Sequence, residues 1–163
     1  MVRIAIIVLL VCIQVFFGVP EFFYGTEDYW MRALTYSFFH GNWWHLAVNC
    51  LAVWTIFPPK RKVSCLQLVS SYLIAVLVYP ISFRPVIGFS NVLYAMLGLR
   101  TPSLKSKWWK QPSVIVFLLV TLALIFVPQF SATTHIAAFL LGMAGAAAKR
   151  SYQRLTRDAR RYL

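Results

Sequence analysis

Acidic residues are almost missing from this chain. Among 163 residues only Glu21, Glu27, Asp28 and Asp158 carry carboxylates, and none lies inside a long apolar run. That excludes a membrane-embedded aspartyl protease, which needs two carboxylates sharing one site. A zinc protease of the HExxH kind needs two histidines one turn apart with a glutamate as base. It is excluded too, because His40 and His45 are five residues apart with no acid between them. Cysteine is scarce and odd in number. Cys12, Cys50 and Cys65 lie in or beside apolar segments, so they read as small core residues, not as a disulfide framework or a metal site. Charged residues make up 12% of the chain, well below the roughly 25% of an average soluble domain.

What replaces charge is apolar surface. The chain is 60% hydrophobic and 17% aromatic, with a mean hydropathy of +0.70, and this predicts an all-α polytopic membrane protein. Six apolar runs stand between turn and charge signals, at 4–19, 43–57, 65–81, 86–99, 113–127 and 133–148, with Pro20, Pro58, Pro59, Pro80, Pro85, Pro112 and Pro128 near their ends. Each is somewhat shorter than the ~20 residues that cross an average bilayer, so flanking residues or a thin local membrane must make up the difference. The first run has only Arg3 ahead of it and no small-x-small cleavage site after it, so it is expected to remain as a span.

Basic residues set the orientation. With the N-terminus in the cytoplasm, every one of the 16 lysines and arginines except Arg32 and Arg84 falls at an inner end, as the positive-inside rule requires of six spans with both termini inside. The formal net charge of +12 does not indicate nucleic acid, because these residues sit at membrane boundaries and form no separate soluble domain. Membrane lipid of anionic character is the expected partner. The tail at 150–163 places Tyr152, Leu155, Ala159 and Tyr162 on one helical face and Arg150, Arg154, Arg157 and Arg161 on another, the pattern of a surface amphipathic helix or of a solubilising tail. One domain, 1–149, precedes it. The segment 21–42 is aromatic-rich, holds three of the four acids and is too long for a plain connector, so it is expected to lie partly in the outer interface.

Polar residues at membrane depth then become informative. His45 and Asn49 lie in the second run, Ser90 and Asn91 at the start of the fourth and His135 early in the sixth, with His40 just ahead of the second. In the orientation above all of them fall toward the outer leaflet. Polar groups that lose water without a partner are costly, so their convergence from three spans on one level marks a functional site. His45 and Asn49, and likewise Ser90 and Tyr94, are four residues apart and share a helix face. Ala138 and Gly142 form a small-xxx-small pattern behind His135 that lets another helix approach closely. Without an acid, the chemistry left is a serine activated by a histidine, with side-chain donors for an oxyanion.

The segments TYSFFHGNWWHLAVNCLAVW, GFSNVLYAMLG and THIAAFLLGMAG resemble, in order and by span, the three signature segments of rhomboid intramembrane serine proteases. The resemblance covers about 29–147. It implies a compact six-span rhomboid-like bundle and an intramembrane serine endopeptidase that cleaves transmembrane segments of other proteins near the outer boundary. Ser90 would be the nucleophile, His135 the base, His45 and Asn49 the oxyanion donors, and Tyr94 the ring packed against the base. Gly88 and Asn91 flank the serine. No metal or cofactor is implied, and the expected location is a cytoplasmic membrane of prokaryotic type.

The pattern departs from the family's in three places. Asn91 stands where the Gly-x-Ser-Gly motif has its second glycine, and Ala138 stands where a glycine usually accompanies the sixth-span histidine. Met31 separates Trp30 and Arg32 in a first-loop tryptophan-arginine element. Asn91 is expected either to narrow the site or to add a donor. Two other readings stay open from the residues: a rhomboid-like protein that binds spans without cutting them, and a small transporter or proton relay, which would normally show paired acids or broken helices.

Overall fold

The computed structural model describes residues 1–19, 28–57, 63–82, 86–100 and 131–160, together with Ile115 and Leu119. The described residues form six α-helices and no strand: α1 (Val2–Phe17), α2 (Tyr29–Thr35), α3 (Trp43–Ile56), α4 (Cys65–Val78), α5 (Ser90–Arg100) and α6 (Ala132–Ala159), with short 3-10 turns at Tyr36–Phe38 and Tyr79–Ile81. The fifth apolar run, at 113–127, lies outside the described residues apart from Ile115 and Leu119, as do the basic loop at 60–62, Arg84 and the first part of the outer segment.

Local signals explain the boundaries. The Asn42 side chain accepts the His45 N–H at 2.8 Å and starts α3. Ser64 and Gln67 form a reciprocal capping box that starts α4, satisfying two donors that a helix terminus otherwise leaves open. Gly18, at φ +58, ends α1 and donates its N–H to the Gln14 carbonyl. α4 gives way to the 3-10 turn at Pro80, which has no N–H to continue the helix.

Helix ends also fix the relative directions. The Arg3 guanidinium at the start of α1 lies 3.6 Å from the Trp54 ring centroid near the end of α3, so these helices are antiparallel. Arg100 at the end of α5 donates to the Ile56 carbonyl at 2.8 Å, so α3 and α5 are parallel. One end of the bundle therefore gathers Arg3 and Arg100, and the starts of α3, α5 and α6 lie at the other.

α5 is the centre of the bundle. Every residue from Asn91 to Gly98 is buried, the state expected of a helix packed on all sides. α6 crosses it at backbone contact. A Cβ on Gly98 would fall 2.1 Å from the Phe139 carbonyl oxygen, and one on Gly142 would fall 2.3 Å from that of Ala95. Glycine at both positions is what allows this approach.

The outward faces are apolar. Leu51, Leu66, Leu73, Leu77, Leu140 and Leu141 are all exposed, as they would be on a protein whose solvent is lipid. Cys12 and Cys65 are exposed as well, and Cys50 is half-buried, so the expectation of three core cysteines is corrected for two of them. A surface in contact with lipid tails has no need to be polar, so a small thiol is as acceptable there as in the core.

Among the described residues no helix is long and apolar enough to cross a membrane by itself. α1 has 16 residues, α3 and α4 have 14 and α5 has 11. α6 has 28, but Thr133, Thr134 and His135 dilute its start and Lys149 to Arg157 its end. The lengths of α1, α3, α4 and α5 therefore agree with the short runs read from the sequence, whereas α6 outlasts its run. The basic tail continues α6 without a break as far as Ala159.

Candidate active site

The site is assembled at the end of the bundle opposite Arg3 and Arg100. Gly88, two residues ahead of α5, has φ +119, a conformation that glycine adopts at low cost. This turn aims the first helical residue, Ser90, across toward α6. His135, one turn into α6, brings its Nε2 to 2.7 Å from the Ser90 Oγ. His135 is buried, whereas Ser90 stays half-exposed. A buried nitrogen facing a partly accessible hydroxyl is the arrangement a general base needs toward its nucleophile. For Nε2 to accept the proton, the neutral ring must carry its own hydrogen on Nδ1.

Tyr94, one turn along α5 from Ser90, packs against His135. Its ring centroid is 4.7 Å from that of His135 at an interplanar angle of 57°. The contact fills the space beside the imidazole and limits its rotamers.

α3 supplies the opposite wall. A Cβ added to Gly88 would lie 2.6 Å from His45 Cε1, 2.7 Å from His45 Nε2 and 3.6 Å from Asn49 Nδ2, so both side chains sit against the turn that presents Ser90. Asn49 is buried and donates one amide hydrogen to the His45 carbonyl at 2.9 Å, which orients the group along its own helix.

His40 stands behind this wall. Its ring lies 5.2 Å from that of His45, and its Nε2 accepts a long bond from the Phe89 N–H at 3.5 Å. Burial, and then the neighbouring His45, lower its pKa to about 3. His40 is therefore neutral and serves as an acceptor beside the serine turn.

Asn91 does not enter the space between Ser90 and His135. It is fully buried and turns away from them, its Nδ2 donating to the Tyr36 hydroxyl at 3.0 Å. Of the two expectations for this residue, the narrowing of the site is therefore not seen. The added donor exists, but it is spent on Tyr36.

The structure thus brings together Ser90, His135, Tyr94, His45, Asn49 and Gly88, and turns Asn91 toward Tyr36 instead. Sequence reasoning passed over Tyr36 and Gly98. Gly98 had a faint signal as a small residue two turns along from Ser90. Tyr36 had none, being one of several aromatics in its segment. Among the described residues no group of three or more His, Cys, Asp or Glu could hold a metal ion.

A family model described as Rhomboid domain matches residues 27–151. No curated protein and no solved structure matches the chain.

Proposed function

The chain belongs to the rhomboid family, a family of membrane-embedded intramembrane proteases, and from that membership we propose that it is a serine endopeptidase that cuts transmembrane segments of other proteins with Ser90 and His135. The observation that carries this reading is the 2.7 Å contact between His135 Nε2 and Ser90 Oγ. His135 takes the hydroxyl proton as Ser90 attacks the scissile carbonyl, and returns it to the leaving amine. The tetrahedral oxyanion is held by the Ser90 backbone N–H with His45 and Asn49, and water then hydrolyses the acyl-enzyme. No metal or cofactor takes part.

The topology proposed with it has six spans, both termini in the cytoplasm of a prokaryotic-type membrane, and the site toward the outer leaflet. The gathering of Arg3 and Arg100 at the end of the bundle away from Ser90 supports this orientation. The substrates are transmembrane proteins, and the exposed apolar faces are met by lipid.

The test is covalent. Detergent-purified protein is incubated with a fluorophosphonate, and the adduct is located by peptide mass analysis. Labelling of Ser90 that disappears in His135→Ala supports the protease. A folded wild type that never labels favours a relative that binds spans without cutting them.

A further inference from the structure

Ser90 sits at a place where its position is poorly defined by local structure. It is the first residue of α5, where backbone groups lack part of their intrahelical bonding, and it follows a glycine in a permissive conformation. Catalysis nevertheless requires the hydroxyl to stay within hydrogen-bond reach of the base. Something outside α5 must hold the turn.

Tyr36 does this from both sides. Its backbone carbonyl accepts the Gly88 N–H at 2.9 Å, two residues before the serine. Its side-chain hydroxyl accepts the Asn91 amide at 3.0 Å, one residue after it. The same hydroxyl donates to the Ala75 carbonyl of α4 at 2.8 Å. The Tyr36 ring lies 5.0 Å from that of Tyr79 in the 3-10 turn that ends α4. Tyr36 and Asn91 are both at 0% exposure, so water does not compete for these bonds.

Successive residues of an α-helix point about 100° apart, so Asn91 can be tied to Tyr36 while Ser90 faces His135. We propose that the Tyr36–Asn91 pair is a positioning device that sets the rotation of the start of α5 and so keeps the Ser90 hydroxyl on His135. It explains the asparagine: a glycine at 91 has no side chain to reach Tyr36. The inference deepens the protease reading and rests on it.

The experiment compares the full chain with Tyr36→Phe, Asn91→Ala and the double variant. Three quantities are measured on each sample: the rate of Ser90 phosphonylation, kcat and KM on a reporter span, and the melting temperature. Each single change is expected to slow phosphonylation and lower kcat by roughly 10–100-fold, the scale of a small misplacement of a reacting group, with KM unchanged. The double variant is expected to be no slower than the worse single, since both changes break one link. Tyr36→Phe also removes the donor to Ala75, so if it does not fold, Asn91→Ala alone decides. Unchanged rates per folded molecule, or effects that multiply in the double variant, overturn the positioning role. A wild type that does not label at Ser90 overturns the protease reading and this role with it, whereas a labelled wild type with equally reactive variants overturns this role alone.

Discussion

Gly98 of α5 and Gly142 of α6 face each other so closely that a Cβ on Gly142 would lie 3.0 Å from the Gly98 Cα and one on Gly98 would lie 2.9 Å from the Gly142 Cα. This contact lies about two turns along each helix from Ser90 and His135. It sets the separation of the helices, and the separation sets whether the His135 ring reaches Ser90, 45 residues away in the chain.

Gly142→Ala is therefore expected to lose most activity. Its new methyl group would meet the Ala95 carbonyl oxygen at 2.3 Å, and backbone cannot yield as a flexible side chain does. The helices must part, at a cost of about 1–3 kcal/mol as overpacking usually brings. Turnover and melting temperature should fall together, and an active variant of unchanged stability would show that the close contact does not govern the site.

Ser90→Ala and His135→Ala should each abolish cleavage of a reporter span in a protein that still folds, since residues that act as one unit are each indispensable. Cleavage that persists in either variant, measured on purified protein, would remove the dyad from the mechanism.

Asn49→Ala should leave a slower enzyme. Loss of one oxyanion donor typically costs on the order of 10²–10³ in rate while other donors remain. Were Asn49 only a bond within α3, to the His45 carbonyl, the variant would turn over normally per folded molecule and show only a lower melting temperature.

Tyr94→Phe should keep most activity and Tyr94→Ala should lose much of it with the fold intact, because the ring at 4.7 Å is what confines the imidazole. If Phe is as inactive as Ala in a folded protein, the hydroxyl has a role of its own and packing does not suffice. If Ala merely lowers stability by a few kcal/mol, as large-to-small core changes do, Tyr94 is ordinary core.

The orientation can be read chemically. With the native cysteines replaced, a cysteine in the basic loop at 60–62 should be shielded from an impermeant external thiol reagent and one at Gly25 should react. The reverse pattern would place the site in the inner leaflet.

Much of this molecule is legible along the chain because the signals are local. The apolar runs at 43–57 and 65–81 correspond to α3 and to α4 with its 3-10 turn, since capping residues and prolines act on their immediate neighbours. The scarcity of acids and the levels of His45, Ser90 and His135 reduce the chemistry to a serine and a histidine without any knowledge of packing. The run at 86–99 begins α5 late, at Ser90, because the turn at Gly88 has to precede it. The run at 133–148 stops short of the end of α6 at Ala159, because Lys, Arg and Gln break an apolar pattern without breaking a helix. What the sequence left open depends on which faces meet. α5 is buried all round and therefore has no amphipathic stripe to say that Ser90 faces α6 while Asn91 faces Tyr36. The partner of Gly142, the double hold of Tyr36 on the serine turn and the direction of the Asn91 amide exist only once three helices and a 3-10 turn are packed together. Contacts between residues far apart in the chain are set by shape and distance, not by periodicity within any one element.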